Sequence, residues 1–507
     1  MKKLVSLLLA ILMVLGLAPL ALMEEPIAIS LYYSDNATLP FRQDWPVIQQ
    51  LEKQYNVKLN FEPIPMADYG TKAGLALSTG ENTPDVMLYL STGGAYASYA
   101  LNGAIVPISD YAEWTPHFNA RVEEMGLQQD VDLNRLSDGK LYFLPSLYDL
   151  PFYDGGLIMR EDYLKAKGFE PPKTFDDFYN IMKAYKEDFP DSYPLTSIVG
   201  LRVVQRMTMP SFGVSVGRNT GTGTGTLSWN YDTNEYFAGA ISDEYKAYIT
   251  FMAKLHAEGL LDPELEQDNA STAKKLATGA AMAVYGYYDQ IGGWEQASEI
   301  EGLKLNMYPP LEGPGGAHHQ PKSKTGGGLL FPIGVSKRAD FEQVVRKLDE
   351  VFYSEEAAKL WCFGVEGDSY TMDGDKVVYN DTILGSADGI YKYMQNAYGT
   401  GCAGLQNVWY LENELTKYDE NYARINADVA AMDNAIQYTV PVPSFDDITA
   451  EDASLLQTTL LDAFNVWDDE FRTGKKSIET DWDAFVQDMK DKGIEKFLEL
   501  YNAHKKL

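Results

Sequence analysis

The chain has 507 residues, 45% of them hydrophobic, a length that suits two lobes with separate cores rather than one domain. Its 42 Lys and Arg stand against 73 Asp and Glu, a formal net charge of −31. That excess speaks against a nucleic-acid surface and against docking on anionic lipid, and it makes neutral or cationic solutes easier guests than polyanions.

Lys2 and Lys3 precede an almost wholly apolar run from Leu4 to Leu22, so residues 1–23 read as an export signal. A membrane anchor is the alternative, because the run is near spanning length. The junction Ala18-Pro19-Leu20-Ala21-Leu22-Met23 carries no cysteine for lipid attachment. Ile27, Ile29 and Leu31 then alternate with Ala28, Ser30 and Tyr32, predicting a strand. Asp44 is placed to cap a helix through Trp45, Val47, Ile48 and Leu51. Val57, Leu59 and Phe61 predict a second strand, Met66 to Ser78 a helix, and Asp85 to Leu90 a third strand. Strands alternating with helices predict a mostly parallel α/β sheet. Ligands bind beyond the carboxyl ends of such strands, which nominates Asp35, Tyr89 and Thr92.

The stretch from Asp138 to Leu195 reads as an extended crossing into a second α/β layer. An apolar strand covers Gly156 to Met159, and Pro171-Pro172 leads to a helix. Thr174 with Asp177 makes a capping-box start, and Phe175, Phe178, Met182 and Tyr185 share one helical face. A further helix runs from about Ser242 to Glu258, with Tyr245, Tyr248, Ile249, Met252 and Leu255 inward. The run TGGGLLFPIGV (325–335) reads as a return crossing into the first lobe. Another crossing is expected between Gly385 and Gly404, and two capped helices close the chain near Thr449 and Thr480. The expected division is 24–147 plus 332–395 for the first lobe and 148–331 plus 396–507 for the second.

Several readings concern chemistry. The Gly/Thr segment Asn219 to Thr226 lacks the Gly-Lys-Ser/Thr of a phosphate loop and reads as a surface loop. Cys362 and Cys402 are the only cysteines, read as two separate thiols with a bridge as the alternative. His318-His319 sits among Pro and Gly and reads as solvent-exposed. No spacing predicts a metal site, a cofactor or a nucleophile elbow.

The ordered set of motifs resembles the extracellular solute-binding proteins of ABC importers, family 1, in the LipO/LplA-like, oligosaccharide-type branch. The matching pieces are Asp138, Gly139, Lys140, Tyr142 and Pro145, then Arg160, Asp162, Tyr163 and Leu164, then Pro172, Lys173, Thr174 and Asp177. Agreement continues in TPDVMLYL (83–90), residues 244–264, YSEEAAKLWCFGVEGDSYT (353–371) and residues 473–504. The resemblance implies a two-lobed periplasmic-binding-protein-like fold of type II, each lobe a mostly parallel sheet flanked by helices, with several crossovers at the hinge. It implies a monomer that captures an oligosaccharide and delivers it to membrane permease subunits, outside the cytoplasm, without nucleic acid, cofactor or catalysis. A secreted carbohydrate-active enzyme with two cleft carboxylates and a ligand-presenting sensor are the alternatives.

A saccharide cleft combines aromatic platforms for C–H faces with polar groups for hydroxyls. The clusters that fit are Tyr148, Asp149 and Tyr153 at the crossing, then Tyr287, Tyr288, Asp289 and Trp294, then Trp409. Glu366, bracketed by Gly364 and Gly367 in a turn after a helix, joins them if its carboxylate projects into the cleft; capping of backbone donors is its alternative role. For each ring, ordinary packing is the competing role.

Overall fold

The structure, a computed structural model, describes residues 25–505 except 37–38, 91–95, 149–154, 199, 218–223, 266–268, 323, 375, 387–389, 402–419, 433–434, 439–442, 444 and 446. The expected signal segment, Thr92, Asp149, Tyr153, Cys402 and Trp409 lie outside the described residues.

Nine strands form the two main sheets: β1 (Ile27–Asp35), β2 (Val57–Pro65), β3 (Val86–Leu90), β4 (Phe143–Leu147), β5 (Gly155–Arg160), β6 (Leu195–Ser197), β7 (Ala283–Tyr287), β8 (Leu305–Tyr308) and β9 (Thr325–Leu330). The first sheet has the order β2-β1-β3-β9-β4, and the second β8-β5-β7-β6. Alternation along β1 sends Ile29, Leu31 and Tyr33 into one apolar cluster and Tyr32 into another on the opposite face. The helices Pro46–Tyr55 and Phe341–Tyr353 cover the first face, and Met66–Thr79 covers the second. The second lobe has one large core, which draws on residues 157–311 and again on 425–501.

Both sheets are mixed rather than mostly parallel, and the exceptions have one cause. β1 runs parallel to β2 and β3, and β6 runs parallel to β7. β9 is antiparallel to both its neighbours, and so is β5. These two strands are the ones that enter a lobe from the other lobe. A strand that follows a helix returns to the start edge and runs parallel. One that arrives at the edge where its neighbours end must run against them.

Hydrogen bonds trace the crossings. The first joins β4 to β5 through residues 149–154. In the second, the His319 N–H donates to Ala435 O at 2.6 Å on the second-lobe side, and Lys324 O accepts from Tyr148 N at 2.9 Å on the first. The chain is thus already in the first sheet from Thr325, ahead of the expected return at 332. The third begins beyond Gly401, whose N–H donates to Trp361 O at 2.8 Å. Residues up to Gly401 stay with the first lobe: the indole N–H of Trp45 donates to Asn396 O at 3.0 Å.

Local signals decide several helix ends. Thr174 Oγ1 accepts from Asp177 N at 3.0 Å, and Asp177 Oδ2 accepts from Thr174 N at 3.0 Å, which starts the helix Phe175–Asp188. Its inward residues Phe175, Phe178, Met182 and Tyr185 are all buried. We expect Thr174→Ala to cost about 1 kcal/mol in chemical denaturation, the usual value of a side-chain cap; an unchanged midpoint would contradict this. Ser242 caps Asp243–Ala257 in the same way, with the five predicted residues inward. Asp44 does not cap its helix. It pairs with Arg42, and the helix begins at Pro46, whose missing N–H suits a first turn. The described end of the Gly/Thr segment is no surface loop either, since Thr224 and Thr226 are 0% exposed and Thr224 Oγ1 closes a turn on Leu227. Cys362 is buried in the helix Glu355–Phe363.

Candidate ligand site at the lobe junction

The carboxyl ends of β1, β3 and β4 share one edge of the first sheet, where β9 begins: Leu90 faces Gly328 and Leu147 faces Thr325. In the second sheet, β7 ends at Tyr287 in register with Gly155, the first residue of β5. β8 ends on that edge as well, with Tyr308 opposite Leu157. Tyr148 and Gly155 flank the first crossing, so the two edges meet at the hinge. An α/β protein binds small molecules beyond strand carboxyl ends.

The motif that leads into this junction is structural. Gly139 adopts φ +79°, and Asp138 accepts from Lys140 N at 3.0 Å and from the Tyr142 hydroxyl at 2.7 Å. Burial, and then the hydrogen bond to Asp138, pushes the Tyr142 phenol up to about 12. The turn aims β4, and Tyr148 follows it. Tyr148 is half-buried, and its hydroxyl accepts from Ser146 Oγ at 3.4 Å. Gly326 leaves room for the ring: a Cβ there would lie 3.0 Å from the Tyr148 hydroxyl. Across the crossing, the half-buried Tyr287 ring lies against Gly155, where a Cβ would come within 2.9 Å of it.

The remaining nominated residues spread more widely. Asp35 is half-buried at the end of β1 and accepts from Phe41 N at 2.8 Å, closing the next turn. Tyr89 lies in β3 and Asp289 in the short turn Tyr288–Gln290, and the side chains of both are outside the description. Tyr288 and Trp294 are 7% and 3% exposed and belong to the second-lobe core, where the Trp294 ring abuts Gly286. Glu366 is exposed in a turn of the first lobe, next to Gly367 at φ +85°. The structure therefore brings Tyr148 and Tyr287 to the two sides of one crossing, and places Tyr288 and Trp294 in the core against which Tyr287 packs.

Sequence reading missed two residues here. His319 is not solvent-exposed: it is 2% exposed and its Nε2 lies 2.7 Å from Gly155 O, tying one crossing to the other. Arg206, on the helix Leu201–Thr208 after β6, donates from Nη2 to the Tyr287 hydroxyl. Nothing in the run LRVVQRMTMP distinguishes Arg206 from an ordinary surface cation. Among the described residues no group of His, Cys, Asp and Glu is arranged to hold a metal ion, and no helix is long and apolar enough to cross a membrane.

Two cored α/β lobes joined by repeated crossings, with strand ends converging on the hinge, define a two-domain binding protein. A family profile of bacterial extracellular solute-binding proteins matches residues 47–364, and the chain belongs to that family. It is similar to the polygalacturonan/rhamnogalacturonan-binding protein YtcQ of Bacillus subtilis, 24% identical over 65% of this chain and 64% of YtcQ. Lipoprotein LipO of Bacillus subtilis is 23% identical over 82% of this chain and 81% of LipO. The fructooligosaccharide ABC transporter substrate-binding protein FusA of Streptococcus pneumoniae is 24% identical over 54% of this chain and 51% of FusA. A solved structure of FusA in complex with kestose shares the fold, with a TM-score of 0.72 and 18% identity over 94% of this chain and 98% of that one. The matches to YtcQ and FusA thus span less than two thirds of those relatives. The family, YtcQ and FusA are described as binding proteins.

Proposed function

We propose that this chain is the extracytoplasmic substrate-binding component of an ABC importer, which captures an oligosaccharide between its lobes and passes it unaltered to membrane permease subunits. The observation that carries the reading is the junction itself, where Tyr148 and Tyr287 stand on opposite sides of a crossing between two separately cored lobes. Rigid lobes on a hinge of several strands close as bodies, and a ligand that touches both shifts the population toward closure. The permease then releases the ligand by favouring the open form.

In this reading the faces of Tyr148 and Tyr287 stack on sugar C–H surfaces, while Asp35, Glu366, Tyr89 and Thr92 from the first lobe supply further contacts. Asp149, Tyr153, Asp289 and Trp409 are proposed as further ligand contacts. Export by residues 1–23, action as a monomer and absence of catalysis belong to the same proposal. The relatives' names cover polygalacturonan, rhamnogalacturonan and fructooligosaccharide, and so leave the sugar open.

The test is thermal unfolding of the protein without residues 1–23 against an oligosaccharide library. A true ligand at a hundredfold excess over its Kd stabilises by about 2.7 kcal/mol and raises the Tm. The ligand should be recovered intact. A flat response across the library, or the appearance of cleavage products, would overturn the reading.

A further inference from the structure

The basic residues of this chain are outnumbered 42 to 73, and its arginines are correspondingly well paired. Eight of those in the described residues hold a carboxylate within 4.0 Å. Arg206 is different. It is half-buried, no described residue forms an ion pair with it, and its Nε is buried without a hydrogen-bond partner. Its one hydrogen bond runs from Nη2 to the Tyr287 hydroxyl. A guanidinium partly removed from water without a counter-ion loses hydration and gains no Coulomb energy in return. In a chain with 31 surplus negative charges, evolution and folding had ample carboxylates with which to neutralise it.

We propose that Arg206 and Tyr287 form a carboxylate-binding subsite, and that the oligosaccharide is an acidic one, built with uronate residues. This rests on the oligosaccharide reading above and names the class of sugar. The Tyr287 hydroxyl accepts from Arg206 and keeps its own proton for a ligand oxygen. The guanidinium offers the planar donor fork that matches a carboxylate. The pair is fixed from behind. Tyr287 stands in register with Gly155, Met207 and Tyr287 pack against the same face of Gly155, and the Gly155 carbonyl is held by His319. The net charge of the whole chain opposes a polyanion at long range, but that field is screened beyond about 8 Å at physiological salt. A partly desolvated cation at the strand ends decides at contact distance.

The experiment is calorimetry of the full mature chain with uronate di- to tetrasaccharides and with the same oligomers after reduction of their carboxyl groups to alcohols. The uronate forms should bind at least tenfold tighter than the reduced forms, the scale of one hydrogen bond to a charged group. Arg206→Gln should erase that advantage without weakening the reduced forms, and Arg206→Lys should retain part of it. Should Arg206→Gln fail to fold, the wild type alone still decides: its affinity for the uronate forms should fall with added salt while that for the reduced forms holds. Equal or tighter binding of the reduced, neutral oligomers would overturn the acidic-sugar inference and leave the oligosaccharide reading standing. Binding of no oligosaccharide of either kind would overturn both.

Discussion

Gly328→Ala is expected to cost the first lobe about 3 kcal/mol or to prevent its folding, the upper end of what overpacking a core does. A Cβ at Gly328 would lie 1.8 Å from the Leu144 carbonyl oxygen and 2.8 Å from Pro145 Cα, atoms of the neighbouring strand that no rotamer change can move. The register of β9 slips on both its sides at this point, between Gly326 and Gly328 against β4 and between Gly328 and Leu329 against β3. Glycine in such a bulge lets two backbones approach. Gly326→Ala is the informative contrast. The atoms it would meet are Ser146 Oγ at 2.5 Å and the Tyr148 ring, both side chains that can yield. That variant should lose little stability but displace Tyr148, and so weaken ligand binding more than it lowers the Tm. Urea titration with hydrogen exchange on residues 143–147 and 325–330 separates the two. A Gly328→Ala protein within about 0.5 kcal/mol of wild type, the range of an ordinary surface change, would refute the argument.

Asp468→Asn is expected to stabilise the protein above pH 6 and to leave it nearly unchanged at pH 4. Asp468 lies on the long helix Asp447–Arg472, only 4% exposed, where its carboxylate accepts from the Tyr245 hydroxyl at 2.8 Å and from Gln205 Nε2 at 3.2 Å. Burial pushes its pKa up to about 6 and outweighs those hydrogen bonds. An unfolded aspartate titrates near 3.9. Between these values the folded state binds the extra proton, so stability falls as pH rises from about 4 to about 6 and is level beyond. A gap of about two pH units corresponds to a loss on the order of 3 kcal/mol. Asparagine keeps an acceptor for Tyr245 and has no charge to desolvate, so the loss disappears. Asp468→Ala instead strands two buried donors and should cost about 3 kcal/mol near pH 4, where the wild-type group is neutral. Asp349 in the first lobe is likewise raised to about 6 by burial, while it accepts from His117 and Phe118 N–H groups at 2.8 Å. Its slope has the same sign, which is why the measurement is the variant minus the wild type at each pH. A difference that does not change between pH 4 and pH 7 would sink the prediction.

Local grammar made much of this molecule legible. The Thr174 capping box, the inward face of Asp243–Ala257 and the alternating strand Ile27–Asp35 all follow from spacing, because caps and amphipathic periods involve residues within a few positions of each other. Tyr148 is nominated by its place at a crossing, and it stands just after β4, where the first crossing begins. The failures have two sources. Asp44 fails locally, because the helix begins one residue later, with Trp45 at its N-cap and Pro46 first, while Asp44 pairs with Arg42. The others are long-range. Thr224 and Thr226 look like loop residues and are buried by packing from a distant part of the chain, with Leu461 against the intervening Gly225. His319 reads as exposed and is enclosed by contacts with Gly155 and Ala435.

The sequence by itself determined that there are two α/β lobes and which faces of their helices and strands turn inward. Only the tertiary structure decided the direction of β5 and β9, the retreat of Tyr288 and Trp294 into the core, and the lack of an ion pair to Arg206 among the described residues. Apolar periodicity is written in neighbours along the chain. Strand polarity, burial and the pairing of charges depend on residues tens or hundreds of positions away, and they exist only once the lobes are assembled.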